Sequence, residues 1–329
     1  MPAINVAVIE IFHPQIVAAI KAGMPADWTV NFTPENSLVA RAEVMRDADI
    51  VFVMAAPMPA ELLKAAPRLR FIQKLGAGLD RIDLDACRKM GIGVARLQAG
   101  NSIPVAEHTI LLMLAVYRQL PQIDARTRAG IWSKEDARGT HRQLQGKTIG
   151  LIGFGAIGKE VAKRLRGFDV KVLYNDPVRP PAEVERDLGA THADLDTLLR
   201  TADIVSLHLP LLPETKNLID AKRIGAMKQG AVLINCARGG VVDESALAQA
   251  LRDGHVSGAG IDVFSTEPPV GNPLLTLDNT IVSSHLAGAS LDNFSGMFAR
   301  GVANVEAVLR GEALPADDVA VEPKEHVHG

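Results

Sequence analysis

Short apolar runs alternate with longer amphipathic stretches from one end of the chain to the other. The runs are rich in Val and Ile and bounded by polar or glycine-containing turns. They predict β-strands near Asn5–Ile9, Thr29–Phe32, Ile50–Met54, Arg70–Leu75 and Gly93–Leu97. A second series falls near Thr148–Gly153, Lys171–Asn175, Ile204–Leu209, Ala231–Asn235, Gly258–Val263 and Thr280–Ser284. Runs such as Val232-Leu-Ile have no polar alternation, which is the pattern of strands covered on both faces of a parallel sheet. Helical spacing appears between strands, as in Gln15–Ala22 and Ser37–Arg46. This alternation predicts an α/β protein with two doubly wound parallel sheets.

Two segments depart from that rhythm. In Ser102–Leu120, Asn101 or Ser102 can cap a helix and Pro104 is tolerable in its first turn. Beyond it, Ile110, Leu111, Leu112, Met113, Leu114 and Val116 cover nearly every face. A helix apolar all round needs cover, so it is expected to pack between domains or subunits, and a homodimer follows. Asn293–Leu309 comes after the second strand series is complete and is expected to return to the first domain. The expected organisation is therefore a discontinuous domain, 1–100 with 289–329, around a second domain, 101–288. A cleft between the two sheets is the expected ligand site.

Composition narrows the function classes. A length of 329 residues suits about two domains, and 47% hydrophobic content is far from a disordered chain. A net charge of −3 with no basic tract argues against nucleic acid and lipid-surface partners. No uninterrupted apolar stretch reaches membrane-spanning length. Cys87 and Cys236 are too few and too far apart for a disulfide framework or a cysteine zinc cluster. A reducing, cytoplasmic compartment is expected. The opening Met1-Pro-Ala-Ile-Asn-Val-Ala-Val reads as a strand rather than a signal peptide. His326-Val-His328 is too short and isolated for a metal site, so no metal is expected.

The candidate chemistry begins at Gly153-Phe-Gly155-Ala-Ile-Gly158, between a predicted strand and the helix Ala156–Leu165. Glycines there allow a tight turn, close approach of a pyrophosphate and close strand–helix contact. Backbone N–H groups and the helix dipole then face the phosphates. Asp176 ends the next strand, where a carboxylate accepts hydrogen bonds from ribose hydroxyls and repels a 2′-phosphate. NAD is thus favoured over NADP, with Arg179 as the group that speaks for a 2′-phosphate. Arg238 follows the buried run Ala231–Asn235, at the strand end where α/β sheets bind ligands, and its fork matches a carboxylate. Alone, an Arg is usually an ion pair, a Glu such as Glu267 a solvated acid, and a His such as His285 structural. Together, Glu267 before Pro268-Pro269 and His285 at another strand end make an acid–base pair, since a neighbouring carboxylate favours imidazolium. Cys236 beside Arg238 reads as a small buried thiol rather than a redox group.

At this point the chain closely resembles the D-isomer-specific 2-hydroxyacid dehydrogenase family. The resemblance runs through Gly76-Ala-Gly78-Leu-Asp80, Asn101 with Val105-Ala-Glu-His108, Gly153–Gly158, His208-Leu-Pro210, Asn235–Asp243, Asp262–Pro268 and His285. It implies a Rossmann dinucleotide-binding domain and a flavodoxin-like substrate domain. It also implies that Arg238, Glu267 and His285 are the catalytic trio for reversible reduction of a 2-keto acid by NADH. Ala156 and Ile157 join the three glycines at the dinucleotide. His208, Pro210, Cys236, Ala237 and Gly288 are its further contacts, and Asp262 holds the nicotinamide carboxamide. The backbone of Ala77 and Gly78 helps to bind the substrate carboxylate. Ser284 stands where the family often has a proline.

Within the family, Met54-Ala-Ala-Pro57 lies where phosphoglycerate dehydrogenases commonly carry an Arg. The chain also stops soon after Asn293–Leu309, without room for the regulatory domain of long members. Ala77 replaces the Lys of phosphite dehydrogenases, and Glu267 the Gln of formate dehydrogenases. A small uncharged 2-keto acid is expected: glyoxylate, hydroxypyruvate, or a modestly apolar analogue facing Met54 and Ala55. Trp132 either reaches the pocket across a dimer interface or packs within that interface. The alternatives are 3-phosphoglycerate dehydrogenase and an NAD-sensing binding protein like the C-terminal-binding-protein corepressors. The latter share the trio but usually carry more sequence outside the fold than Ala316–Gly329.

Overall fold

A computed structural model describes residues 4–323; the His326–His328 pair lies outside the described residues. The chain forms two compact units, Met1–Asn101 with Ser290–Gly329, and Ser102–Ala289.

The first unit is built on strands β1 (Ile4–Val8), β2 (Trp28–Phe32), β3 (Ile50–Val53), β4 (Phe71–Lys74) and β5 (Gly93–Ala95). All are parallel neighbours in the order β5-β4-β3-β1-β2. β3 reads Ile-Val-Phe-Val and is buried at every position, as a central parallel strand must be. The helix Leu291–Leu309 covers one face with Phe294, Met297, Phe298, Val302, Val305 and Val308, a spacing of three and four residues. It lies so close that a Cβ on Gly301 would come within 2.9 Å of Leu75. A Cβ at 301 would therefore force the Leu75 side chain to shift. The order reverses between β1 and β3, and the carboxyl ends of strands beside such a switch form a crevice suited to ligands.

The second unit carries a seven-stranded parallel sheet. Its strands are β6 (Thr148–Ile152), β7 (Lys171–Asn175), β8 (Ala190–His192), β9 (Ile204–Leu207), β10 (Ala231–Asn235), β11 (Val256–Ile261) and β12 (Thr280–Val282). Their order is β12-β11-β10-β9-β6-β7-β8, which puts the switch point between β6 and β9. Both faces are covered by separate apolar clusters. Each fully buried Val, Leu or Ile contributes about 1.5–3 kcal/mol relative to exposure.

Four features differ from the sequence expectation. The first sheet is not wholly parallel: β13 (Val319–Val321) adds antiparallel to β5. The second sheet has the extra edge strand β8. The Ser102–Leu120 helix ends at Arg118, because Gln119 adopts a left-handed φ of 48° and starts a new helix, Leu120–Arg128. Nor is the first of these helices covered all round within the chain. Val105, Ala106, Leu112 and Met113 are buried, while Ile103 and Leu111 are each 51% exposed.

Candidate active site

The glycine turn after β6 has the geometry of a phosphate cradle. Gly153 has a left-handed φ of 96°, and a Cβ on it would sit 2.3 Å from the carbonyl oxygen of His208, which follows β9. A Cβ on Gly158 would meet the Gly153 carbonyl at 2.4 Å, so helix and strand touch there. Gly155, by contrast, has open space where a Cβ would stand, and Gly155 and Ala156 are exposed, with Ile157 half-buried. The first and third glycines are therefore consumed by packing and the second leaves room for a ligand. The first-turn N–H groups of the helix Ala156–Leu165 face outward with no intrahelical acceptor. These residues fit a dinucleotide pyrophosphate.

Phe154, between the glycines, is a buried anchor stacked on Tyr174 of β7, with ring centroids 4.0 Å apart. Asp176, at the end of β7, is half-buried and already ties the turn together. Its Oδ2 accepts the Phe154 N–H at 2.6 Å and its Oδ1 accepts the Val178 N–H at 2.8 Å. Arg179 is paired within the protein. Its guanidinium grips Glu185 at 2.8 and 3.0 Å, and the Tyr174 hydroxyl donates to the same carboxylate. Arg179, then Tyr174, hold the Glu185 carboxyl down to about 2. The cation that spoke for a 2′-phosphate is thus engaged within the protein.

Across the switch point, the Nε2 of His208 lies 2.9 Å from the Ser206 hydroxyl, while Nδ1 is buried without a partner among the described residues. Burial drives His208 down to about 3, so it is neutral. Pro210 is exposed, and its carbonyl accepts the Thr215 hydroxyl at 2.7 Å. Cys236 is buried beside Thr109, and burial pushes its thiol up to about 12, which removes thiolate chemistry.

The trio is presented by three adjacent strands. β10, β11 and β12 are parallel neighbours, so the segments after them emerge at one edge of the sheet. Arg238 follows β10 in a turn closed by Asn235, whose side chain donates to the Arg238 carbonyl at 3.1 Å and accepts the Ala237 N–H at 3.0 Å. The Arg238 Nη1 donates to the Ala237 carbonyl at 2.7 Å. Glu267 follows β11 and His285 follows β12. The Nδ1 of His285 lies 2.9 and 3.0 Å from the two Glu267 carboxylate oxygens. With Nδ1 occupied, Nε2 is the nitrogen left to exchange a proton with a ligand.

His285 has a left-handed φ of 55°, a conformation that costs a side-chain-bearing residue about 1–2 kcal/mol. Asp262, 1% exposed at the end of β11, holds it there. Its carboxylate accepts the Leu286 N–H at 2.9 Å, the Ala287 N–H at 3.0 Å and the Ser283 hydroxyl at 2.6 Å. Its carbonyl accepts the His285 N–H at 2.7 Å. Ser283 also sits 3.1 Å from the Nε2 of His108 on the helix Ser102–Arg118. The turn is shaped by these bonds with Ser284 in place of a proline, and Gly288 follows it.

Ser283, His108 and Phe154 lie outside the candidates drawn from sequence. Ser283 adjoins the predicted His285 turn and His108 falls within a family motif, so position hinted at both. In the first unit, Ala77 and Gly78 are half-exposed after β4, beyond Gly76 at a φ of 131°. Beside them, Glu10 Oε1 at the end of β1 accepts the N–H groups of Met54 at 2.8 Å, Ala56 at 2.6 Å and Ala55. No cluster among the described residues has the makings of a metal site, and no described helix is long and apolar enough to cross a membrane.

Known proteins resemble the chain over most of its length. The chain is 40% identical over 304 residues to a D-3-phosphoglycerate dehydrogenase of Mycobacterium tuberculosis, covering 92% of this chain and 56% of that protein. It therefore spans about half the length of those relatives. A glyoxylate reductase of Thermofilum pendens is 42% identical over 277 residues, covering 83% of this chain and 81% of that protein. Among solved structures, the D-lactate dehydrogenase of Aquifex aeolicus, complexed with NAD and lactic acid, superposes with a TM-score of 0.85 at 31% identity. That match covers 97% of this chain and 100% of that one. Residues 110–287, which hold the glycine turn, Asp176 and the trio, match "D-isomer specific 2-hydroxyacid dehydrogenase, NAD binding domain". The second unit is accordingly an NAD-binding Rossmann domain, the first a flavodoxin-like one, and the chain belongs to the D-isomer-specific 2-hydroxyacid dehydrogenase family.

Proposed function

We propose that the protein is an NAD(H)-dependent oxidoreductase that interconverts a small 2-keto acid and its D-2-hydroxy acid. The observation that carries this reading is the bidentate approach of Glu267 to the Nδ1 of His285 at 2.9 and 3.0 Å, on the same sheet edge as Arg238. Bound NADH supplies the hydride that the carbonyl carbon receives. Arg238 grips the carboxylate and compensates the charge that grows on the carbonyl oxygen. The Nε2 of protonated His285 gives its proton to that oxygen, and in the reverse direction takes it from the hydroxyl. Glu267 fixes the tautomer and supports the charged ring. Asp262 both shapes the His285 turn and is the natural acceptor for the nicotinamide carboxamide.

Glyoxylate and hydroxypyruvate are the favoured substrates. The loop after β3 carries no Arg of its own: its amides close on the Glu10 carboxylate, and the neighbouring cations Lys74 and Arg81 are bound to the Met54 and Ala55 carbonyls. The relatives at 40% identity favour 3-phosphohydroxypyruvate as the second reading. The half-exposed Ile103 and Leu111 and the 82% exposed Trp132 support a homodimer through the helix Ser102–Arg118.

Steady-state NADH oxidation with glyoxylate, hydroxypyruvate, pyruvate and 3-phosphohydroxypyruvate tests the assignment. The expected result is the highest kcat/KM with one of the first two. Preference for the phosphorylated acid would transfer the assignment to phosphoglycerate oxidation. Tight NADH binding without turnover of any acid would leave a nucleotide sensor.

A further inference from the structure

Glu244 belongs to neither the cofactor cradle nor the trio, yet it touches the segment that carries Glu267. It is the first residue of the helix Glu244–Arg252, capped by Asp243. Its Oε1 accepts the Ser265 N–H at 2.6 Å, and its Oε2 accepts the Ser265 hydroxyl at 3.0 Å and the side-chain amide of Asn272. These contacts bracket Glu267 on both sides, two residues before it and five after. A carboxylate in the first turn of a helix also meets the positive end of its dipole.

The same stretch of chain holds the loop a second way. A Cβ on Gly239 would lie 1.9 Å from the Phe264 carbonyl oxygen, so the backbone after Arg238 is seated directly on the loop. The Phe264 N–H in turn reaches Glu267 Oε1 at 3.3 Å. Segment 238–244 thus presents the guanidinium at one end and the clamp at the other. The register between Arg238 and Glu267 is set by contacts within this one neighbourhood.

We propose that Glu244 is a positioning residue for the acid–base pair: it pins the 265–272 segment so that the Glu267 carboxylate meets the Nδ1 of His285. The inference rests on the hydride-transfer reading above. Glu244 is distant from the glycine turn in the chain and makes no contact there among the described residues. Its effect belongs to the proton-transfer step and not to dinucleotide binding. A misplacement of catalytic groups by about 1 Å can cost up to about 100-fold in rate.

The test is a double-mutant cycle on the full-length chain, with NADH and the best acid of the panel. Glu244→Ala is expected to lower kcat about 10- to 100-fold while the KM for NADH stays within about twofold. Glu244→Gln keeps an acceptor for the Ser265 N–H but loses the Asn272 contact, and falls between the two. In a Glu267→Ala background, Glu244→Ala should cost less than about twofold more, because residues acting through one group are not additive. Costs that multiply in the double variant, or a folded Glu244→Ala with wild-type kcat, would overturn the inference. If Glu244→Ala does not fold, Asn272→Ala and Glu244→Gln supply the same cycle. Wild-type protein that reduces no acid removes the functional reading itself, an outcome visible before any variant is made.

Discussion

The two units solve the same problem at their strand ends in opposite ways. Each sheet reverses its strand order at one point, and each has backbone N–H groups converging there. In the second unit, the glycine turn after β6 stays open: Gly155 has empty space before it, and Asp176 braces the turn from behind through the Phe154 and Val178 amides. In the first unit, three successive amides, Met54, Ala55 and Ala56, close on the protein's own Glu10. One crevice is prepared for an anionic ligand and the other is filled by an internal carboxylate. An anion-binding arrangement of amides is therefore not in itself a ligand site. What distinguishes them is whether the chain has supplied the anion.

The variants with the largest expected effects lie in the second unit, which keeps its glycine turn open. His285→Ala should lower kcat by about 10²–10⁴-fold, the usual worth of a general acid, while fluorescence titration shows NADH affinity nearly unchanged. Arg238→Lys keeps the charge but loses the fork, and kcat/KM for the acid should fall about 100-fold, as expected for a broken charge-assisted pair. The KM for NADH should barely move in that variant; a large rise would place Arg238 at the cofactor. Asp176→Ala removes the carboxylate that braces the turn and that the proposed function sets against the ribose. Its expected signature is about a tenfold rise in the KM for NADH, the worth of one or two hydrogen bonds, with a smaller preference over NADPH.

How much of this was legible in the sequence depended on the range of the interactions. The glycine turn, Asp176 and the strands β3, β6 and β10 are local patterns, and their positions follow from apolar runs and turn residues alone. The break at Gln119 was not legible, because Leu111–Leu120 continues an apolar helix pattern and only Pro121 signals a restart. β8 and β13 have three residues each, too few for a period to register. The supports of the site were hidden for a different reason. Asp262 meets Leu286 and Ala287 more than twenty residues along the chain, and Glu10 meets amides more than forty away. A polar side chain with so distant a partner looks like any solvated acid until the fold brings the two together.

The closed end of the comparison predicts smaller, structural effects. Glu10→Ala leaves three amides without their acceptor and should destabilise the protein by about 1–3 kcal/mol. Thermal unfolding reads this as a lowered Tm, with the KM for NADH unchanged. A shift in NADH affinity instead would mean that the two strand-end sites are not independent.

The smallest effect concerns His208. Its folded-state pKa of about 3 lies below the ordinary 6.5, so the unfolded chain binds a proton that the native protein refuses. The stability associated with the neutral ring is complete above pH 6.5 and is lost progressively as pH falls towards about 3. Tm measured across that window should decline less steeply in His208→Asn than in the wild type. Parallel curves would show that the ring is hydrated enough to titrate normally.

The central claim is that Arg238 and His285 act on one and the same 2-keto acid. A crystal structure of the protein with NAD and oxamate, an unreactive mimic of such an acid, tests it most directly. The account predicts the oxamate carboxylate in a two-pronged contact with Arg238, and its carbonyl oxygen within about 3 Å of the His285 Nε2. Oxamate bound away from Arg238, or an imidazole turned from Glu267 with its Nε2 out of reach of the carbonyl oxygen, would contradict it.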